Sequence, residues 1–165
     1  MLRTSFATKA VVVVAASFLL FACSSKPKEA TGPADTGPAI DNSIMGQWTD
    51  MQRVGDRVYF DLDRYDVRPE GMATLQRQAQ FLSEHPELTV RIEGHCDERG
   101  TREYNLALGD RRANAVREAL VSMGVDRGRL TTISYGKDRP ECAESNEQCW
   151  QLNRKGLSTL QGAGT

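Results

Sequence analysis

Neither sign of charge dominates this sequence. Lysine and arginine together number 21 and aspartate and glutamate 22, over 165 residues. No basic excess points to nucleic acid, and no acidic block marks a disordered tail. Any partner must be recognised by local geometry rather than by a global field. Hydrophobic runs are short as well. The uncharged, mostly apolar stretch at residues 10–22 falls below the roughly 20 residues that cross a bilayer. There is no internal repeat, and no second motif near His95 would complete a metal site with it. Cysteine is scarce, with four in all. The length allows one domain and some additional chain.

The N-terminal end has the layout of a targeting segment. Arg3 and Lys9 supply positive charge ahead of the apolar run, as in a signal peptide. The run ends in Leu20-Phe21-Ala22-Cys23, which resembles the lipobox of bacterial lipoproteins, Phe21 being an unusual middle residue. The resemblance implies a signal peptide at 1–22, cleavage before Cys23 and acylation there. An ordinary secretory signal with an incidental cysteine is the plainer alternative. One acyl chain anchors marginally, at about 0.8 kcal/mol per buried CH₂, and two or more anchor stably. Ser24 resembles an outer-membrane sorting address. Residues 23–50 are expected to form a tether: Pro27, Gly32, Pro33, Gly37 and Pro38 sit among small polar residues, and such a segment buries too little apolar surface to offset its ordering entropy. Ile44, Met45 and Trp48 are transitional and could pack on the domain.

The expected domain spans residues 51–155. Val58, Phe60 and Leu62 alternate with Tyr59 and Asp61, which predicts a half-buried strand over 57–62. Pro69 can open a helix whose inner face carries Met72, Leu75, Ala79 and Leu82, and Pro86 stops it. Leu88, Val90 and Ile92 alternate as a second strand. Residues 105–123 predict a long helix with Leu106, Ala113, Val116 and Leu120 inward, closed by Gly124, and residues 130–135 a third strand. The order βαβαβ predicts an α/β sandwich with helices on one face of the sheet.

Polar chemistry concentrates in Gly94-His95-Cys96-Asp97-Glu98-Arg99-Gly100-Thr101, between a strand and the long helix, where loops usually carry function. Helical spacing then places Arg112 one turn beyond Leu108, able to face Asp97. A carboxylate opposite a guanidinium has two readings. One is an internal salt bridge, worth about 0–1 kcal/mol at a surface. The other is a clamp for a zwitterion, with an ammonium on Asp97 and a carboxylate on the two-pronged donor of Arg112. Residue types alone favour the first. A third reading, a wall-modifying or thiol-dependent enzyme using His95, Cys96 and Asp97, requires a base and an orienting group within reach, which neighbours at a strand end seldom supply. His95 is expected to hydrogen-bond within its loop, and Cys96 to be a small buried thiol.

Several spaced stretches resemble the OmpA-like domain family. They are Val58-Tyr59-Phe60-Asp61-Leu62-Asp63-Arg64-Tyr65-Asp66, the loop from Glu93 to Thr101, Glu103-Tyr104-Asn105, and Leu108-Gly109-Asp110-Arg111-Arg112-Ala113-Asn114-Ala115-Val116. Ser134-Tyr135-Gly136-Lys137 and Asn153-Arg154 complete the set. With the lipobox and tether, the layout is closest to the family's lipid-anchored members, which work with TolB and TolA in the Tol–Pal system. The resemblance implies an outer-membrane lipoprotein, not an enzyme and without a cofactor or metal. It implies non-covalent binding of peptidoglycan through the diaminopimelate of the stem peptide, tethering the outer membrane to the wall. Asp97 and Arg112 would be the principal ligands. Asn105, Leu108 and Arg99 would line the site, and Asp63 would approach from the other side. A purely structural lipoprotein with a degenerate site is the bland alternative.

Cys142 and Cys149 bracket a short polar stretch and are expected to pair, with Cys96 left free; a bridge from Cys96 to either is the alternative. Past Arg154 the chain departs from the family pattern. Lys155 and Gly156 intervene, and Leu157-Ser158-Thr159-Leu160 does not alternate, so residues 156–165 are expected to be a divergent tail with a doubtful or shortened last strand.

Overall fold

A computed structural model describes residues 42–161. The signal segment, Cys23, the tether up to residue 41 and residues 162–165 lie outside the described residues.

The elements are α1 (Asn42–Val54), β1 (Arg57–Tyr59), α2 (Pro69–Glu84), β2 (Thr89–His95), α3 (Arg102–Ser122), a single 3₁₀ turn (Arg127–Arg129), β3 (Leu130–Gly136), α4 (Glu147–Asn153) and β4 (Lys155–Gln161). The four strands form one sheet in the order β1-β4-β2-β3. β4 runs antiparallel to both neighbours, and β2 and β3 are parallel, joined through α3. Helices α2 and α3 cover one face, and the expected α/β sandwich is the observed fold. Between helices and sheet sits one core that includes Val58, Phe60, Leu75, Leu82, Val90, Ile92, Val116 and Leu120.

Local chemistry accounts for the helix ends. Pro69 opens α2, as expected. The long helix begins a turn before residue 105, because the Thr101 hydroxyl accepts from the Tyr104 amide and caps it. At its other end the Gly124 and Val125 amides return to the carbonyls of Val121 and Leu120. Met72 and Leu106 are not core residues. Met72 is exposed, and Leu106 is half-buried.

Three expectations at the domain's edges need correction. The tether does not extend to residue 50: α1 covers 42–54, Met51 is fully buried and Trp48 packs against the core. β1 stops at Tyr59 rather than Leu62, because its partner β4 starts at Lys155, opposite Tyr59. Phe60 makes one more bond, to the Arg154 carbonyl, and Leu62 then turns out to solvent.

The third correction is the largest. The stretch from residue 156 to 161 is no tail; it belongs to a seven-residue strand in the middle of the sheet. Its inward side carries no large apolar residue until Leu160, for a packing reason. A Cβ on Gly156 would lie 2.8 Å from Val116 Cγ2, so nothing larger fits under α3. The next inward residue, Ser158, donates to the buried Gln78 side chain at 2.9 Å, and Gln78 donates onward to the Gly55 carbonyl at 2.6 Å. A satisfied polar relay replaces the apolar alternation that marks an ordinary strand.

A chain ended after Lys155 should therefore lose cooperative folding, because β1 would be cut off from the sheet and β2 would keep only β3. Thermal denaturation followed by circular dichroism checks this; a sigmoidal transition near the wild-type midpoint would show that β4 is dispensable.

Candidate functional site

The inner stripe of α3 has two halves. Ala113, Val116 and Leu120 enter the core, while Asn105, Leu108 and Arg112, from the preceding half of the helix, face the end of β2. Their approach to the sheet depends on two glycines in contact. A Cβ on Gly94 would lie 1.8 Å from the Gly109 carbonyl oxygen, so only glycine lets α3 lie this close to β2. Gly94 thus serves packing, whereas Gly100, with φ of +88°, supplies the turn expected of the loop.

At this end of the sheet lies a cavity of about 350 Å³ lined by Leu62, Asp63, Cys96, Asp97, Arg99, Gly100, Tyr104, Asn105, Leu108, Arg112 and Arg154. All six residues expected at a ligand site, Asp63, Asp97, Arg99, Asn105, Leu108 and Arg112, are brought together in it. The volume lies in the range of small-molecule sites. Two carboxylates and three guanidiniums meet in this space.

Arg112 is fully buried. It donates to the carbonyls of Arg64 at 2.9 Å, His95 at 2.7 Å and Asp61 at 3.0 Å. It thereby staples the loop after β1 to the end of β2. Burial loosens its hold on the proton, and the neighbouring Cys96 and Asp97 oppose that. Asn105 holds the next loop, donating to the carbonyls of Arg99 and Thr101. Lys137 reaches across from beyond β3 to the carbonyls of Glu98 and Gly100. Asp63 stands in the left-handed region at φ 56° and accepts from the Tyr104 hydroxyl.

The direct Asp97–Arg112 pairing considered from the sequence is not the contact observed. Asp97 is bonded instead by Arg99, through its amide, Nε and Nη2 at 3.1, 3.2 and 2.6 Å, and by Arg154 Nη1 at 3.1 Å. Burial alone would push the carboxyl up; the Arg99 and Arg154 bonds outweigh it and hold Asp97 below the ordinary carboxylate range. Arg154 is the site residue that was not singled out. It also donates to the Phe60 carbonyl, Glu147 and Gln151. Its only signal in the sequence was its place in the Asn153-Arg154 pair. The short helix α4 brings it in, held by the Asn146 cap and by the expected Cys142–Cys149 disulfide. In the chain-entropy picture so short a loop adds roughly 2–3 kcal/mol.

Cys96 is the free, buried thiol expected. Burial pushes its pKa up to about 11, and its Sγ donates to the Asn105 carbonyl at 3.3 Å. A thiol held in its protonated form is a poor nucleophile. His95, Cys96 and Asp97 are therefore not a catalytic constellation. Among the described residues no group of three or more His, Cys, Asp or Glu side chains could hold a metal ion.

His95 departs from expectation. It is buried on the helix-free face of the sheet, and neither ring nitrogen has a hydrogen-bond partner among the described residues. Nε2 lies 3.5 Å from a Glu93 oxygen, and the Tyr135 ring stands beside it. Burial first, and then the Lys155 ammonium, lower its pKa, against an opposing pull from Glu93.

The fold and this pocket define a class, and the chain belongs to the OmpA family, whose model matches residues 59–154. Within that family the chain is similar to peptidoglycan-associated lipoproteins. A peptidoglycan-associated lipoprotein of Rhizobium meliloti is 44% identical over 94% of this chain and 89% of its own length. The one from Haemophilus influenzae is 38% identical over 90% and 95%. The crystal structure of the peptidoglycan-associated lipoprotein from Burkholderia pseudomallei is 44% identical and superposes with a TM-score of 0.63, covering 64% of this chain and 90% of that one. The C-terminal domain of Helicobacter pylori MotB shares the fold, with a TM-score of 0.60, at 19% identity over 64% of this chain and 84% of that one.

Because the folded pKa of His95 lies below its unfolded value, the unfolded chain binds the extra proton first. The neutral ring's contribution is fully present above about pH 6.5 and is lost as pH falls from there towards the depressed folded value. The midpoint of thermal unfolding should fall as the pH drops below about 6.5, and His95→Gln should flatten that slope. An equally steep slope in the variant would place the titrating group elsewhere.

Proposed function

We propose that this chain is an outer-membrane lipoprotein that binds peptidoglycan without cleaving it and tethers the membrane to the wall. The observation that carries the proposal is the cavity itself: opposed charges converge there, in a chain 44% identical to peptidoglycan-associated lipoproteins. A periplasmic position at the outer membrane follows from the same relatives.

The finer proposal concerns the ligand. The free end of diaminopimelate bears an ammonium and a carboxylate on one carbon. Asp97 takes the ammonium, since a charge-assisted bond in a partly dry site is among the stronger polar contacts. Arg112 has five N–H groups, of which three go to backbone carbonyls. The remaining two, beside the Cys96 sulfur, are the donors for the carboxylate. Leu108 and Leu62 flank the methylene chain, Asn105 and Arg99 complete the wall, and Asp63 closes the far side. Acylation at Cys23 holds the protein on the membrane, and residues 24–41 span the gap. Work with TolB and TolA in the Tol–Pal system, supporting envelope integrity and division, belongs to this proposal through the family.

The fully buried state of Arg112 decides which variant tests the site. Arg112→Ala would strand three carbonyls, each at a desolvation cost of about 1–3 kcal/mol, and so reports on folding. Asp97→Asn keeps shape and removes charge. It should weaken sacculus pull-down by about 10- to 100-fold, the equivalent of about 1.5–3 kcal/mol for a hydrogen bond to a charged group, with an unchanged circular dichroism spectrum. Unchanged pull-down would refute the diaminopimelate clamp. Cys23→Ser should move the chain from the membrane to the soluble fraction on cell fractionation, and retention in the membrane would exclude the lipid anchor.

A further inference from the structure

Asp97 has no room left. A carboxylate offers about four lone-pair sites, and four donors occupy them: three from Arg99 and one from Arg154. A ligand ammonium must displace one of these donors or share its acceptor on poor geometry. The two arginines differ in what they would lose. The Arg154 side chain is 4% exposed and is anchored by Phe60, Glu147 and Gln151 as well. The Arg99 side chain is 33% exposed, at the mouth of the cavity. Two further groups hold its guanidinium at the same time. Its guanidinium carbon lies 4.1 Å from the centre of the Trp150 ring, and its Nη1 lies 3.9 Å from a Glu147 oxygen. The Trp150 indole is itself fixed by its N–H to Glu98 at 3.1 Å. The face of a Trp ring attracts a cation, so Arg99 can leave Asp97 and keep its other partners.

We infer that Arg99 is a built-in rival of the ligand's ammonium: in the free protein it occupies Asp97, and binding is an exchange in which the guanidinium turns off Asp97 towards Glu147 while it stays over Trp150. The inference rests on the diaminopimelate reading above and deepens it. Arg99 is then a residue that sets affinity, and not a ligand in its own right. Its amide stays on Asp97 throughout, so the loop keeps its turn while the side chain exchanges. A site guarded in this way holds its ligand weakly and releases it readily, because Arg99 refills Asp97 as the ammonium leaves.

The test is calorimetric titration of the full chain in detergent with the tripeptide L-Ala-γ-D-Glu-meso-diaminopimelate. Arg99→Gln removes the rival and leaves Arg154 to support Asp97. Arg102→Gln removes the same charge from an exposed residue paired with Asp138, outside the cavity. Arg99→Gln should tighten binding by about 3- to 10-fold, the factor expected if Arg99 holds Asp97 in about two-thirds to nine-tenths of free molecules. Arg102→Gln should leave it unchanged. Equal or weaker binding by Arg99→Gln, with the wild type binding, overturns the rivalry and leaves the diaminopimelate reading standing. Tightening of the same size in Arg102→Gln would also overturn it, as a bulk charge effect. No binding by wild type or Arg99→Gln overturns both. A second readout follows the side chain directly. On saturation of the wild type with tripeptide, the Arg99 Nε–H resonance should move upfield as its bond to Asp97 is lost, and a resonance that stays in place counts against the exchange.

Discussion

The buried guanidinium of Arg112 holds the binding end of this molecule in shape. It bonds to carbonyls from two separate segments, the loop after β1 and the last residue of β2, and it does so from the middle of α3. A charge in that position is costly unless its donors are satisfied. Satisfying them fixes where the loop carrying Asp61, Asp63 and Arg64 sits relative to the loop carrying Asp97. The cavity between the two loops is thus a product of one side chain's hydrogen-bond geometry. Asp97 is tied in from the opposite side by Arg154, which in turn depends on α4 and its disulfide. Three elements far apart in sequence meet over one small volume.

The polar residues of the cavity are therefore structural, and in the proposed function they are recognitive as well. Arg112 builds the walls with three N–H groups and has two more to offer. Asp97 organises its own loop through the Arg99 amide, and its carboxylate, at the cavity wall, is held by Arg99 and Arg154. This double use explains why the site sits at the boundary of the core and not on an open loop: the precision of the binding geometry comes from burial. It also explains the buried thiol beside it. Cys96 fills space and donates to a carbonyl, with its proton held by its surroundings.

Much of the fold was legible from residue order. Pro69, the Leu75–Ala79–Leu82 spacing and the Val90–Ile92 alternation each reported a local periodicity that survives folding unchanged. The Cys142–Cys149 pairing was legible from its short separation. β4 was illegible because its inner face answers to α3 and to Gln78: Gly156 is required by a methyl group of Val116, and Ser158 by an amide from a helix 80 residues earlier. Leu62 and Met72 fit their local patterns but lie beyond the reach of the core, one because β4 ends the pairing and one because no element covers it.

A spaced motif marks the six candidate residues, and the structure gathers all of them around one cavity. Their pairing was another matter. Sequence spacing put Arg112 on the helix face that looks toward Asp97, and no spacing rule could say that carbonyls would claim its donors or that Arg99 and Arg154 would claim the carboxylate. By itself the sequence determined the two long helices, three of the four strands, the cluster of charged residues and the family, since these depend on local periodicity and on motif identity. Only the tertiary structure decided the central place of β4, the entry of Arg154 and the partner of each charge. Those depend on which groups burial brings within hydrogen-bond distance, and that is settled when the elements pack.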